Sequence, residues 1–553
     1  MENAKKEKSV DTRNFIQKLF KMKTAQEKQA EREANPEYQA IDTSKMVLVI
    51  KEGRANAAQL EKAQKVARIV GTVITYAFLL FMKNTTKSIL SLTLLAGLLG
   101  VTACGESSSS TKASSTSNPA SASTSASGDA VEVTFWHTMG HTNQTLVDAE
   151  IQQFQKLYPN ITIKSSSVAG KYDDLQSSIL NAIPAGTTPT MAFCYPDNVA
   201  QYLDKDAVVK LDSLISDPEI GFTVADGSHQ DAEGNVLSGK DDYVSTFWNE
   251  GTDYVNEGTY SVPFAKSTEA LFYNKTVFDA NGWSVPTTWD ELWDLCRTIR
   301  ALDPTPDGDG KYATYPLGYD SDANLYITLS QQKGIPYTSK TGDHYLFNND
   351  QAKAMVTDLK SKYDEGLFIT AGSSANSSYT STKFTAGEIY MSIGSTGGTT
   401  YNQTDNFTVG VAVPPSEDLN APAVISQGPS ICFFSSATKA QLRAAWLFYR
   451  FISTTEASNY YGISTGYQPV RTSSFESATY QKFINATGSS RTVFNDVASV
   501  TSTMNQSYFN SPVFVGSANA RVEVGKAVAS VLLGSKTVDK AFTDAMANCL
   551  LVK

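Results

Sequence analysis

Histidine and cysteine are scarce in this chain, whose 553 residues include four histidines and five cysteines. No two cysteines have the C-x-x-C spacing, which argues against a zinc ribbon, and their wide scatter argues against a disulfide scaffold. His137 and His141 have a helix-compatible spacing, but no glutamate or third ligand accompanies them as in H-E-x-x-H. We therefore predict no metal site and no cofactor.

Positive charge is in deficit, and two common catalytic motifs are missing or incomplete. The 46 Lys and Arg residues stand against 56 Asp and Glu, a formal charge of −10, so we expect no nucleic-acid partner. The chain has no Walker A motif, so any ATPase is a separate subunit. Residues 462–466 (GISTG) match the G-x-S-x-G pattern of a hydrolase nucleophile. That triad needs a histidine later in the chain than the serine, and the last histidine here is His344, so the pattern does not indicate a hydrolase.

A short acidic stretch is similar to part of a calcium loop. Residues 303–310 read DPTPDGDG, but the closing glutamate of an EF-hand is missing. We expect a surface turn here, and a calcium ion near Asp307 and Asp309 is the alternative.

The leading segment differs in composition from the rest. Residues 1–65 are rich in Lys, Glu, Gln and Ala, which predicts a solvated helix or disorder. Residues 66–81 are nearly all apolar, but they fall just short of the roughly 18 residues of a lone spanning helix. One interpretation is a membrane segment of a larger protein. The other, which we favour, is an upstream coding region fused to a chain that starts at Met82.

Residues 82–104 have all the parts of a bacterial lipoprotein signal. Lys83 and Lys87 form a positive n-region, residues 88–100 an apolar h-region, and residues 101–104 (VTAC) a lipobox. We predict that Cys104 is lipidated, with palmitate among its acyl chains, which anchors the chain to the extracytoplasmic face of the cell membrane. Residues 105–129 are mostly Ser, Thr and Ala, and we expect a disordered linker.

The body begins with alternating strands and helices. We predict strands at 131–136, 161–168 and 191–194 and helices at 142–157 and 173–183. This order implies a parallel, doubly wound lobe whose ligands bind beyond the carboxyl ends of its strands. Trp136, His137, Tyr195 and Asp197 fall at those ends.

The remainder of the body is mainly helical. Residues 218–259 are polar, and we expect a long surface insertion with aromatic anchors at Tyr243, Phe247, Trp248 and Tyr254. Beyond it we predict helices at 289–302, 323–332, 349–365, 439–453, 455–461 and 522–533, and strands at 262–274, 391–394, 408–413 and 430–434.

Several sequence blocks carry a family resemblance. They are VPFAKSTEALFYNK (262–275), GWSVPTTWDELWDLC (282–296), KFTAGEIYMSIGSTGG (383–398) and STGYQPVR (464–471). With these blocks in this order, residues 131–550 resemble the family 1 extracellular solute-binding proteins of carbohydrate ABC importers. The segment 65–81 resembles the start of the first transmembrane helix of a sugar-importer permease.

Shorter motifs resemble the glycerol-3-phosphate-binding branch of that family. They are FWHTM (135–139), AGKYDDL (169–175), QGPS (427–430) and SANARVEV (517–524). The resemblance implies ligand contacts by Tyr172, Ser395, Gly428, Tyr467 and Arg521, with Ser267 opposite. The branch has a glutamate where this chain has Pro196, beside Asp197. The ligand could therefore equally be a sugar or another polyol phosphate instead of glycerol-3-phosphate.

The resemblance also implies a periplasmic-binding-protein-like α/β fold, with two α/β lobes, a hinge and an interlobe cleft. We assign residues 131–262 and 424–468 to the first lobe, and 263–423 and 469–553 to the second. A sugar-like ligand needs flat apolar walls and hydrogen-bonding edges. Candidate walls are Trp136, Tyr172, Tyr195 and Tyr467, and candidate edge contacts are Asp197, Asn324 and Arg521. Trp136 could equally be core, and Asn324 could cap its helix.

We expect a monomeric, lipid-anchored receptor that performs no chemistry. It would deliver a sugar, a sugar phosphate or a polyol phosphate to ABC permease subunits that work with a separate ATPase. Binding of the ligand would stabilise the closed form of the receptor. The alternative is a secreted carbohydrate-active enzyme with a two-domain cleft. Such an enzyme needs a pair of carboxylates at a defined separation, and no sequence block nominates one.

Overall fold

The computed structural model describes residues 129–222, 239–306, 312–374, 379–504 and 507–551. The leading segment 1–81, the signal 82–104 with Cys104, the linker apart from Asp129, and the calcium alternative at Asp307 and Asp309 lie outside these ranges. Within them, no helix combines the length and the apolar character that a membrane span requires.

Twelve strands are present in the described ranges. In chain order they are β1 Val131–His137, β2 Ile161–Ser167, β3 Met191–Cys194, β4 Ser261–Pro263, β5 Glu269–Asn274, β6 Tyr315–Tyr319, β7 Phe368–Thr370, β8 Ile389–Ser395, β9 Val409–Ala412, β10 Val424–Ile425, β11 Ser430–Phe433 and β12 Tyr508–Phe509.

The α-helices of the described ranges alternate with these strands. They are α1 His141–Leu157, α2 Tyr172–Ala182, α3 Pro196–Leu203, α4 Asp212–Ile215, α5 Gly239–Asp242, α6 Ser245–Asn249, α7 Lys275–Asn281, α8 Trp289–Arg300, α9 Asp322–Gln332, α10 Asp350–Asp364, α11 Ser381–Thr385, α12 Lys439–Ile452, α13 Thr455–Thr465, α14 Thr472–Glu476, α15 Ala478–Ile484, α16 Val493–Ser502, α17 Ser517–Leu532 and α18 Val538–Cys549. Thr396–Asn402 and Gly488–Ser490 form 3₁₀ turns.

The first lobe is built on a five-stranded sheet with the order β2-β1-β3-β11-β4. β1 runs parallel to β2 and β3, as the β-α-β-α-β pattern predicts, while the late strand β11 pairs antiparallel with β3 and β4. Aromatic rings fill the space between this sheet and its helices. Phe135 of β1 meets Phe193 of β3 edge to face at 5.0 Å, and Phe154 of α1 meets Phe448 of α12 at 5.2 Å.

The second lobe is built on another five-stranded sheet, with the order β7-β6-β8-β5-β9. β6 is parallel to β7 and β8, and β5 is antiparallel to β8 and β9. Helix α8 begins with a capping box in which the Thr288 hydroxyl accepts from the Glu291 amide. α9, α10, α17 and α18 pack together over the same core, which contains Leu271, Met391 and Phe542. The fold is thus α/β with two lobes.

Three chain segments lie side by side where the lobes meet. Lys266 exchanges backbone hydrogen bonds with Gln468, and Ser267 exchanges them with Gln427. We call these three segments the crossing segments. Gly428, the next residue after Gln427, has a φ of +93°, and a Cβ there would lie 2.5 Å from the Ala265 carbonyl oxygen. Close backbone packing therefore requires glycine at this position.

Three sequence-based expectations need correction. The strand predicted at 262–274 is two strands, because the chain changes lobes between β4 and β5. The segment 239–259 is not a surface insertion, since its anchors Tyr243, Phe247, Trp248 and Tyr254 are buried in the first core. The second lobe does not take everything after residue 468. Val470, Met504, Tyr508 and Val513 pack in the first core, whereas α17 and α18 pack in the second.

Glu150 of α1 is buried without a hydrogen-bond partner for either carboxyl oxygen among the described residues. Burial raises the pKa of this carboxyl well above its ordinary value. An unsatisfied buried polar group costs about 1–3 kcal/mol. We therefore expect Glu150→Met, which keeps a similar volume, to raise the free energy of unfolding by about that amount.

Urea denaturation followed by circular dichroism measures this gain. Gln152→Met is the matched control, because Gln152 is exposed on the same helix and its replacement should change the free energy of unfolding by about 0.5 kcal/mol or less. A loss of stability in Glu150→Met, with the control unchanged, would contradict the assignment of Glu150 as an unsatisfied acid.

Candidate functional site

A cavity of about 890 Å³ lies at the crossing segments, and residues from helices and loops of both lobes line it. Its position beyond the carboxyl ends of β1, β3 and β6 is where open α/β sheets bind ligands. The volume lies near the upper end of the roughly 300–1,000 Å³ typical of small-molecule sites.

Tyrosine rings form one wall of this cavity. Tyr172 at the start of α2 and Tyr195 just after β3 have ring centroids 4.4 Å apart and planes inclined by 49°. Tyr467, just after α13, lines the cavity from the first lobe and packs closely on Gly397 of the second lobe. A Cβ at Gly397 would lie 2.6 Å from the Tyr467 ring, so glycine is required for this contact. The rings offer flat apolar surface with a polar tip.

Carboxylates line the cavity, and hydrogen-bond donors of the protein hold each of the following three. The Ser517 hydroxyl donates to Oδ1 of Asp197 over 2.7 Å. Both the amide and the hydroxyl of Thr380 donate to Oδ1 of Asp320, each over 2.7 Å. The Gly372 amide donates to Asp322 over 2.8 Å. These fixed acceptors suit ligand hydroxyls.

Cationic side chains and a buried ion pair also lie at the cavity. Nη2 of Arg521 on α17 donates to Oδ1 of Asn324 on α9. Nζ of Lys171 lies 4.6 Å from the ring centroid of Tyr379, a cation–π contact between the lobes. Glu250, which lines the cavity, forms an ion pair with Lys266 of a crossing segment, and both side chains are buried.

Glu269, the first residue of β5, has a perturbed acid strength. Burial raises the pKa of its carboxyl to about 7, against the lowering effect of hydrogen bonds from Tyr319 and Asn324 and of the nearby Arg521 charge. The Tyr319 hydroxyl lies 2.5 Å and the Asn324 amide 2.8 Å from the carboxyl oxygens. Asn324 thus joins Glu269 to Arg521 in one network at the floor of the cavity.

The raised pKa of Glu269 predicts a pH dependence of stability. Folding favours the protonated acid, so this stabilisation is complete below about pH 4.5 and is lost as pH rises through about 7. We expect Glu269→Gln, which stays neutral, to gain stability relative to the parent chain as pH rises from 5 to 8.

Urea midpoints of both chains at several pH values give the difference. Taking the difference removes the contribution of His137, whose buried imidazole has a pKa lowered to about 4 and loses its stabilisation as pH falls from 6.5 toward 4. A difference that does not change with pH would show that Glu269 is not the titrating group.

The structure brings together most of the residues that the sequence nominated. Seven of them line the cavity, namely Tyr172, Tyr195, Asp197, Asn324, Ser395, Tyr467 and Arg521. Ser267 and Gly428 lie in the crossing segments, where the Ser395 hydroxyl reaches the Ser267 hydroxyl over 3.3 Å. Trp136 does not line this cavity and packs, half-buried, against the first core.

The lining residues that the sequence did not nominate include Glu269, Asp320, Lys171 and Glu250, and two of these carried a signal. Glu269 is the single acid in the apolar strand EALFYN, and Asp320 directly follows a strand, as Asp197 does. Lys171 stood in the AGKYDDL block without being selected. Glu250 lay in the segment interpreted as a surface insertion, and no local pattern marked it as buried.

Two α/β lobes joined by crossing segments, with a polar and aromatic cavity between them, define a two-lobed ligand-binding protein. The profile of the family described as bacterial extracellular solute-binding protein matches residues 149–487. The chain belongs to this family, which confirms the resemblance to extracellular solute-binding proteins.

Relatives of known name are similar over most of the body. The sn-glycerol-3-phosphate-binding periplasmic protein UgpB of Salmonella typhimurium is 26% identical over 368 residues, which cover 63% of this chain and 77% of the relative. UgpB of Escherichia coli strain K12 is 24% identical over 440 residues, covering 76% and 92%.

Solved structures show the same fold at lower identity. UgpB of Mycobacterium tuberculosis in complex with glycerophosphocholine has a TM-score of 0.61 at 18% identity, covering 77% of this chain and 98% of that chain. The GacH receptor of Streptomyces glaucescens, solved unliganded and with acarbose, has a TM-score of 0.60 at 18% identity, covering 76% and 98%.

Proposed function

We propose that this protein is an extracytoplasmic receptor that binds a sugar, a sugar phosphate or a polyol phosphate and delivers it to an ABC importer. The cavity between the lobes carries the proposal, because groups from both lobes line it. Tyr195 and Asp197 come from the first lobe and Asn324 and Arg521 from the second. The names of the relatives support the same class of ligand.

The proposed mechanism is ligand-stabilised closure. A ligand that contacts both lobes binds the closed form more tightly than the open form, and so shifts the population toward closure. Two contacts between the lobes at the cavity would support the closed form. The Ser517 hydroxyl donates to Asp197, and Lys171 packs on the ring of Tyr379. Closure would present a defined surface to separate permease subunits, whose ATPase supplies the energy.

The competing hypothesis is a carbohydrate-active enzyme. Glu269, with a pKa of about 7, has the strength of a general acid, and other carboxylates line the same cavity. However, Glu269 is 3% exposed, and its two carboxyl oxygens each accept a hydrogen bond, Oε2 from Tyr319 and Oε1 from Asn324. These partners support a role in fixing the Asn324–Arg521 pair rather than proton transfer to a glycosidic oxygen.

A binding screen tests the proposed function. The purified chain is incubated with monosaccharides, oligosaccharides and glycerol phosphates, and its thermal stability is measured. Hits are then titrated by calorimetry, and the solute is analysed by chromatography after long incubation. We expect one class of solute to bind and to be recovered unchanged, whereas a solute converted to products would establish the enzyme.

The location of the receptor is a second part of the proposal. We propose that Cys104 is lipidated and holds the body at the outer face of the cell membrane, close to the permease. Labelling of cells with a palmitate analogue, followed by intact mass measurement, tests this. We expect label in the parent chain and none in Cys104→Ser, and equal labelling of both would contradict the assignment of the anchor.

A further inference from the structure

Asp197 and Asp320 line the cavity from opposite lobes, and hydrogen bonds from the protein hold Oδ1 of each. The backbone amide of Ser381 gives Asp320 a further hydrogen bond. Asp197, in the first turn of α3, accepts at Oδ1 from Ser517, and Asp320, directly after β6, accepts at Oδ1 from Thr380. No side-chain donor among the described residues reaches Oδ2 of either carboxylate. Oδ2 of Asp320 lies beside Gly394 of β8, where a Cβ would stand 2.4 Å away, so the carboxylate can take this position only next to glycine.

The charge around these two oxygens is negative. The cavity lining contains six carboxylates, Asp173, Asp197, Glu250, Glu269, Asp320 and Asp322, and three cations, Lys171, Arg521 and Lys526. Two of these charges are cancelled within the protein, because Glu250 pairs with Lys266 and Lys526 pairs with Glu523. The remaining five carboxylates stand against Lys171 and Arg521, and the bond of Arg521 to the neutral Asn324 amide does not cancel its charge. Lys171 packs on Tyr379 beside Asp320.

A phosphate group fits this arrangement poorly. Near neutral pH a phosphate monoester carries close to two negative charges, and its oxygens are mainly acceptors. It would meet acceptor oxygens and like charge at both Asp197 and Asp320. A sugar hydroxyl, in contrast, can donate to a carboxylate oxygen and accept from a neighbouring donor at the same time.

We infer that the ligand is an uncharged saccharide and that Asp197 and Asp320 select it over phosphate esters by accepting hydrogen bonds from its hydroxyls. The inference rests on the proposed function and narrows it, and it separates this chain from the glycerol-3-phosphate-binding relatives. The cavity of about 890 Å³, walled by Tyr172, Tyr195 and Tyr467, has room for more than one sugar unit.

Calorimetry on the full-length chain at neutral pH tests the inference. The neutral probes are maltotriose, mannotriose and cellotriose, and the phosphate probes are sn-glycerol-3-phosphate and glucose-1-phosphate. We expect at least one neutral probe to bind and neither phosphate probe to bind. For that neutral probe, Asp320→Asn and Asp197→Asn should each weaken affinity about tenfold or more, because each loses a charged acceptor while Oδ1 is kept.

Two controls separate recognition from folding. Asp204 is exposed at the C-terminal end of α3, so Asp204→Asn should leave the affinity for the neutral probe unchanged. Thermal melting of Asp320→Asn and Asp197→Asn shows whether they fold, since the hydrogen bonds from Thr380 and Ser517 can still form. The double variant supplies an independent measurement, because removing both charges should increase its affinity for glucose-1-phosphate relative to the parent chain.

The outcomes distinguish the inference from the function beneath it. If a phosphate probe binds the parent chain, or if both folded Asp→Asn variants keep full affinity for the neutral probe, the inference is overturned and the receptor function stands. If no probe of either class binds, the proposed function fails together with the inference.

Discussion

Arg471→Met is expected to lower the free energy of unfolding by about 3–5 kcal/mol, because it leaves a buried carboxylate without its partner. Nη1 of Arg471 lies 2.6 Å from Oδ2 of Asp242, and the two side chains are 0% and 2% exposed. The guanidinium also donates to the Tyr243 hydroxyl over 3.0 Å and to the Ser453 carbonyl. The pair joins the chain after Gln468 to the first lobe, so its loss should loosen that attachment.

Urea denaturation of both chains measures this loss, and a surface arginine provides the control. Arg443 is 41% exposed and pairs with Asp217 over 3.2 Å, so Arg443→Met should cost about 1 kcal/mol or less. Adding Asp242→Asn to Arg471→Met should recover part of the loss, since the neutral amide is less costly to bury. Equal effects of the two arginine replacements would contradict the assignment of Arg471 as a structural anchor.

Tyr467→Ala is expected to weaken solute binding by roughly 2–4 kcal/mol, the loss typical of a central aromatic contact. This corresponds to about 30- to 1,000-fold in Kd. Tyr467 lines the cavity, contacts Gly397 across the lobes, and stands one residue before Gln468 of a crossing segment. The alanine would remove both the flat wall for the ligand and a contact made at closure.

Calorimetry with the solute found in the screen measures this effect. Tyr467→Phe keeps the ring and should stay within a few-fold of the parent affinity. Tyr460→Ala tests the loss of a tyrosine elsewhere, because Tyr460 is 45% exposed on α13 and does not line the cavity. Unchanged affinity in a folded Tyr467→Ala chain would show that the ligand does not use this wall.

Local patterns were sufficient for the parallel strands β1 to β3 of the first lobe and for part of the site. The alternation of strands and helices predicted a parallel sheet, and the rule that ligands bind beyond strand ends selected Tyr195 and Asp197, which line the cavity. The same rule failed for Trp136. Side chains alternate along a strand, so Trp136 lies on the face opposite to the buried Phe135 and His137.

Long-range pairings were beyond these patterns. The bridges of Lys266 with Gln468 and of Ser267 with Gln427 join residues far apart in the chain, and no local signal marks them. The division at residue 468 was misplaced for this reason, because the Arg471–Asp242 pair attaches the following residues to the first lobe. The polar composition around Glu250 likewise hid a segment that is buried through its aromatic anchors.

The most direct test of the account is a calorimetric titration of the solute found in the screen into the parent chain and into Arg521→Ala. Arg521 reaches the cavity from α17 and joins the network of Asn324 and Glu269 at its floor. We predict one solute bound per parent chain, recovered unchanged, and affinity lowered at least about tenfold in the folded variant. Equal affinity in the two chains would place the binding site outside the interlobe cavity and contradict the account.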